Sequence, residues 1–130
     1  MAEYLPLFKP GQAHTHTTSE AITAGQMVAV SATGTVGVAG ANSLVWLGIA
    51  AFDAASGASV TVHSGGIQRP LNSGGVTAGD LIVCAAAGVV STLAAVTTPT
   101  AADVTNSRAI VGIALTTATT GLAVEVQFDR

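Results

Sequence analysis

The chain has 130 residues and a net charge of -3, and only 8% of its residues are charged, against roughly a quarter in ordinary soluble domains. Ala, Thr, Val, Gly and Ser supply 82 of the 130 residues, which excludes a helix bundle whose exposed faces need Glu, Lys, Arg and Gln. Four basic residues remove the electrostatic footprint of a nucleic-acid binder, and 49% hydrophobic content excludes a solvated disordered chain.

Residues 1–20 differ in kind from the rest. The first ten hold two of the five aromatics (Tyr4, Phe8) and two of the four prolines (Pro6, Pro10). The prolines keep the segment extended and block a helix. Tyr4, Leu5, Leu7 and Phe8 have no way to bury themselves on one another. An extended arm over 1–20, docking on a partner surface, is the expectation, with one β domain over 21–130. The start at Met1 lacks a basic n-region and an apolar run, so no signal peptide is expected. No apolar segment approaches the roughly 20 residues of a membrane-spanning helix. The chain therefore reads as soluble and made in the cytoplasm, with no membrane or nucleic-acid partner.

Beyond the arm, Thr23-Ala24-Gly25 reads as a turn launching a strand over 26–30, which Gly34 reverses into a strand over 35–38. The run Leu44-Val45-Trp46-Leu47-Gly48-Ile49-Ala50 is almost wholly apolar, as for a strand buried on both faces. Trp46 is expected in the core or at a contact between subunits. Residues 59–63 alternate, placing Val60 and Val62 on one face. Gly65-Gly66 and Gly74-Gly75 read as turns. A second Thr-Ala-Gly, at Thr77-Ala78-Gly79, then launches 80–85, and Gly88 turns the chain into 89–93. The segment 97–106 is a surface loop with room for one helical turn, Thr98 capping and Pro99 first. Residues 122–128 carry the clearest alternation: Val124, Val126 and Phe128 against Glu125 and Gln127. Strands at 60–62 or 122–128 lying at a sheet edge are an aggregation liability unless covered.

These elements are two copies of one pattern. Ile22-Thr23-Ala24-Gly25-Gln26-Met27-Val28 matches Val76-Thr77-Ala78-Gly79-Asp80-Leu81-Ile82 at an offset of 54, and Leu47-Gly48-Ile49-Ala50 matches Val111-Gly112-Ile113-Ala114 at an offset of 64. The repeats cover about 22–63 and 76–128, the second carrying an insertion within about 93–108. Roughly eight short strands with regular turn signals imply an all-β fold, a small barrel or sandwich of two similar β repeats with an extended N-terminal arm. Apart from Ala, 38 large apolar side chains and one Cys remain for the core. A surface of Ala, Thr, Ser and Gly has little charge to keep copies apart.

No catalytic constellation is present. The chain has no Gly-x-Ser-x-Gly elbow and no phosphate-binding Gly-x-x-x-x-Gly-Lys loop. The carboxylates Glu3, Glu20, Asp53, Asp80, Asp103, Glu125 and Asp129 fall in no paired motif, and Asp53 and Asp80 lie beside turns, where Asp bonds backbone. Cys84, the only cysteine, sits in an apolar run as a buried thiol. His14 and His16 lie on one side of an extended segment, with His63 as a distant third candidate, but two imidazoles do not make a metal site. Neither a cofactor nor a metal is expected, and the reading is of a protein that is not an enzyme.

The Pro-containing arm followed by Gly11-Gln12-Ala13-His14-Thr15, and the central Leu47-Gly48-Ile49-Ala50, Asp53 and Val60-Thr61-Val62-His63-Ser64-Gly65, resemble the head decoration (cement) proteins of tailed bacteriophages. The duplicated Thr-Ala-Gly-Gln/Asp and Gly-Ile-Ala pattern is more similar to the broader group of small capsid-cement proteins than to the lambda type. The resemblance covers about residues 5–128 and assigns no role to the insertion. It implies a homotrimer at three-fold and quasi-three-fold positions on the outer surface of a mature capsid, clamping the shell without chemistry. The partners it implies are the major capsid protein and further copies of the chain. The capsid-binding element is then Tyr4, Leu5, Pro6, Leu7, Phe8 and Lys9. The reading from another class is a carbohydrate- or host-surface-binding β module of a phage fibre, with Asn72 and Asn106 as loop residues. A small β-barrel metalloenzyme using His14, His16 and His63 ranks last.

Overall fold

Each Thr-Ala-Gly segment is a turn, and the side chain after its glycine staples it. Gln26 Oε1 accepts from the Thr23 amide at 2.8 Å and Asp80 Oδ2 from the Thr77 amide at 3.0 Å, while Gly25 and Gly79 take φ of +84° and +94°, a conformation open to glycine at no steric cost.

The computed structural model describes residues 13–129. The strands are β1 (His14–Thr18), β2 (Met27–Ala32), β3 (Thr35–Val38), β4 (Trp46–Ala50), β5 (Ser59–His63), β6 (Ile67–Gln68), β7 (Leu81–Cys84), β8 (Val90–Thr92), β9 (Ile110–Ala114) and β10 (Val126–Phe128), with a short 3-10 turn (Ala86–Gly88) between β7 and β8 and one α-helix, α1 (Ala101–Asn106), between β8 and β9. The first five close a barrel in the order β1-β3-β2-β4-β5, and the others form a sheet in the order β6-β10-β9-β7-β8. His14–Thr18 lies within the segment read as an arm, yet it is barrel strand β1, antiparallel to β5 and parallel to β3.

The second sheet repeats the first almost bond for bond. Thr18 pairs with Val36 in parallel, and Asn72 forms a parallel bridge to Val90, 54 positions on. Ile22 bridges Ala54 as Val76 bridges Ala118. A register slip opposite Val28 and Ala29 recurs opposite Ile82 and Val83 and leaves Leu47 and Val111 as the extra residues. The second copy therefore begins earlier than residue 76, at β6 and Asn72, where the sequence shows little likeness to β1. Barrel closure pairs β5 on two sides, and β10 lies between β6 and β9, so neither 60–62 nor 126–128 is an open edge.

Gly48 and Gly112 explain the repeated Gly-Ile-Ala. A Cβ on Gly48 would run into the backbone carbonyl of His63, and one on Gly112 into that of Gln127. The neighbouring strand passes too close for a side chain, so glycine is required there.

Alternation fills both halves in the same way. Ile22, Val28, Val36, Ala50, Val60 and Val62 cluster inside the barrel, and their counterparts Val76, Ile82, Val90, Ala114, Val124 and Val126 belong to the second cluster. That second cluster also takes in Met27, Ala39, Trp46 and Ile49 from the outer face of the first half. Trp46 stacks edge-on against Phe128 with ring centroids 5.5 Å apart, so it is a core residue joining the repeats.

Two local expectations change. Thr100, not Thr98, caps α1, because Thr100 and Asp103 have the spacing for a reciprocal capping box: Thr100 Oγ1 accepts from the Asp103 amide and Asp103 Oδ2 from the Thr100 amide. Of 122–128 only Val126–Phe128 is strand, since the Val124 and Glu125 amides donate instead to the Pro70 carbonyl and the Thr116 hydroxyl.

Candidate interaction surfaces

Several polar side chains of the described residues bond to backbone beside turns. Glu20 Oε1 accepts from the Val38 amide and Asp53 Oδ1 from the Ala24 amide, as carboxylates beside turns do. Asp80 accepts from Thr77 N and from the Thr92 hydroxyl, and these bonds, the backbone one first, hold its carboxyl below the usual carboxylate range. The Asp103 carboxyl is lowered likewise by its Thr100 side-chain and backbone bonds. Glu125 pairs with Arg69 at 3.0 Å in the open, an arrangement worth little to stability. Cys84 is buried.

Alternation along β1 puts His14 and His16 on one side, with His14 Nδ1 and His16 Nε2 2.7 Å apart. One nitrogen donates and the other accepts, so at least one ring is neutral. Burial first, and then the charge of His16, push the His14 pKa down. His63 pairs across the sheet with Ile49 instead. Among the described residues no three His, Cys, Asp or Glu side chains gather as a metal-holding group.

Asn72 is no glycan-facing loop residue. It is 2% exposed, its Nδ2 donates to the Thr119 and Leu122 carbonyls, and its Oδ1 accepts from the Gly75 amide. Thr18, its counterpart, donates from Oγ1 to the Ala55 and Ala58 carbonyls. The two buried polar residues thus hold the same loop in each repeat. Sequence reasoning passed over Thr18, although the shared 54-residue offset was a signal that was there to use. Asn106 closes α1, its carbonyl accepting from the Ala109 amide.

What remains available for recognition is mostly apolar. A cleft of about 430 Å³ lies at the junction of the repeats, lined by Thr23–Gln26, Arg69, Leu71 and 87–89. One apolar feature is a row across the outer face of the second sheet. Ile67 pairs with Gln127, Gln127 with Ile113 and Ile113 with Leu81, and the Leu93 amide donates to the Leu81 carbonyl. Directly paired residues share a face, so these five side chains stand side by side. Ile67, Leu81 and Ile113 are 59%, 46% and 39% exposed. The arm residues Tyr4, Leu5, Pro6, Leu7, Phe8 and Lys9 lie outside the described residues.

The family model for phage cement proteins matches residues 8–129. The chain belongs to the phage cement protein family. It is accordingly a structural protein associated with the phage head and located in the virion. Among curated proteins none matches the chain. Among solved structures, the head fiber gp8.5 N base of bacteriophage phi29 is similar over 91% of this chain and 93% of its own, with a TM-score of 0.65 at 14% identity. That likeness establishes a shared fold. No helix among the described residues of this cement protein is long and apolar enough to cross a membrane.

Proposed function

We propose that this cement protein binds the outer surface of the mature phage head as a homotrimer, at three-fold and quasi-three-fold positions, and stabilises the shell. Tyr4, Leu5, Pro6, Leu7, Phe8 and Lys9 are the segment that contacts major capsid subunits. The observation that carries this reading is the cement-family match over residues 8–129. It is supported by the apolar residues Tyr4, Leu5, Leu7 and Phe8 set between prolines in the first ten positions and by a chain poor in charge. Three arms per trimer raise the effective affinity without any strong single contact, and apolar contact contributes about 25 cal/mol per Å² before ordering costs.

The test is co-sedimentation with expanded empty capsids, paired with light scattering. The full chain is expected to pellet with capsids and to weigh about three chain masses in solution. Deleting residues 1–10 is expected to abolish pelleting and leave the trimer folded. Full-affinity binding by the truncated protein refutes the arm assignment. A second reading, a carbohydrate- or host-surface-binding β module of a fibre, draws on the phi29 neighbour being a head fiber base. Glycan binding without capsid binding would replace the first reading by the second.

A further inference from the structure

Internal duplication gives every surface of one repeat a counterpart on the other, and the two counterparts need not have the same neighbours. The row Leu93, Leu81, Ile113, Gln127 of the second repeat corresponds to Ala39, Met27, Ile49, His63 of the first, where Ile49 pairs with His63 and Met27, and the Ala39 amide donates to Met27. Met27 and Ala39 are wholly buried and Ile49 nearly so. They pack in one cluster with residues of β7 to β10, and the turn between β7 and β8 lies against the same end of the first repeat. The Gly88 amide donates to the Ala39 carbonyl and the Asn42 amide to the Cys84 carbonyl. Gln26 Nε2 donates to the Ala87 carbonyl, and Cys84 and Phe128 share the buried cluster with Met27 and Ile49.

At the other two members of this set the same surfaces are open. Leu81 and Ile113, counterparts of buried Met27 and Ile49, are exposed. The β2–β3 turn of the first repeat, counterpart of the β7–β8 turn, is exposed as well. Val30, which stands where the second repeat has buried Cys84, is 47% exposed, and Val45, whose carbonyl accepts from the Val30 amide, is 53% exposed. Val83, on the same face as Leu81, is already buried, so the open patch is the Ile67, Ile113, Leu81 side of that face. One apolar row lacks a cover, and the same chain carries an uncovered copy of the turn that lies against the other.

We propose that the chain associates head to tail: the Ile67–Ile113–Leu81 row of one copy receives the β2–β3 turn of the next, with Val30 and Val45 as the inserted apolar residues. This contact repeats between chains the one already made between repeats within the chain. It rests on the self-association part of the function proposed above and adds the surfaces that mediate it. Such a contact joins unlike patches, so it closes into a ring when the rotation per copy allows and otherwise runs on as a filament. With no charged residue in the row, it is insensitive to salt.

The experiment uses the full chain and two variants altered at opposite ends of the contact, Leu81→Lys/Ile113→Lys and Val30→Lys/Val45→Lys, weighed by light scattering over a range of concentrations. Far-ultraviolet circular dichroism and urea midpoints confirm that each is folded. The milder Leu81→Gln/Ile113→Thr and Val30→Thr/Val45→Thr pairs replace any variant that is not. The full chain is expected to be oligomeric in low and high salt, and each variant alone monomeric. An equimolar mixture is expected to yield a species of two chain masses, because one intact pair of patches survives between unlike variants. Variants that stay oligomeric like the full chain overturn the proposal while leaving self-association standing. Variants that dimerise alone, or monomers whose mixture does not associate, overturn the head-to-tail geometry. A full chain that is monomeric throughout overturns both this inference and the self-association it rests on.

Discussion

Replacing Asn72 by alanine tests whether the two repeats really are held by the same device. The side chain makes three hydrogen bonds of 2.8–2.9 Å, two to carbonyls and one from the Gly75 amide, at a site 2% exposed. The Thr119 and Leu122 carbonyls also accept from the Leu122 and Asn72 amides, so the alanine variant leaves them served and deprives the Gly75 amide. At about 1 kcal/mol net for each bond, the loss comes to about 2–3 kcal/mol. At about 4 °C per kcal/mol for a chain of this size, Tm falls by about 8–12 °C. Asn72→Thr installs the solution used at Thr18, whose hydroxyl reaches the two corresponding carbonyls. It is expected to recover about 1 kcal/mol of the loss. The assay is urea unfolding at one fixed protomer concentration, since association would make apparent stability concentration-dependent. An alanine variant within about 0.5 kcal/mol of the parent, or a threonine variant no better than alanine, refutes the equivalence.

Gly112→Ala is expected to cost at least about 3 kcal/mol, at the upper end of overpacking penalties, because the added Cβ meets the Gln127 carbonyl rather than a movable side chain. Gly40→Ala, where a Cβ meets nothing within 4 Å, is the control and should stay within about 0.5 kcal/mol in the same urea assay. The His14 pKa is lower in the folded chain, so between the folded and the ordinary histidine values the unfolded state binds more protons and stability falls with falling pH. The loss is complete below the folded pKa. Urea midpoints measured from roughly pH 8 to pH 5 should show this decline in the parent and a flatter profile in His14→Gln; parallel profiles would show that His14 does not contribute in this way.

Several features were legible from spacing alone because their causes are local. A Thr-Ala-Gly followed by Gln26 or Asp80 contains both the glycine and the acceptor that make the turn. The strand Thr35–Val38 falls where Gly34 and the alternation put it, and of the apolar run 44–50 the part Trp46–Ala50 is strand and mostly buried, whereas Leu44 and Val45 precede it and are exposed. The α1 cap lies two residues beyond the Thr98-Pro99 start that the sequence favours, because Asp103, three residues beyond Thr100, supplies the reciprocal bond. His14–Thr18 looked like arm because its pairing partners, Val36 and the strand from Ser59, lie 18 to 48 residues away.

By itself, then, the sequence determined the all-β class, the twofold repeat and the glycines at its turns, since each depends on residues within a few positions or on an offset that can be counted. Tertiary structure decided which copy of each surface is covered. Leu81 and Met27 occupy the same place in the pattern and are equally apolar, yet Met27 is buried by the second repeat and Leu81 is open. No local property separates them, because a two-repeat chain has one internal junction, and only folding assigns the two ends that are left over.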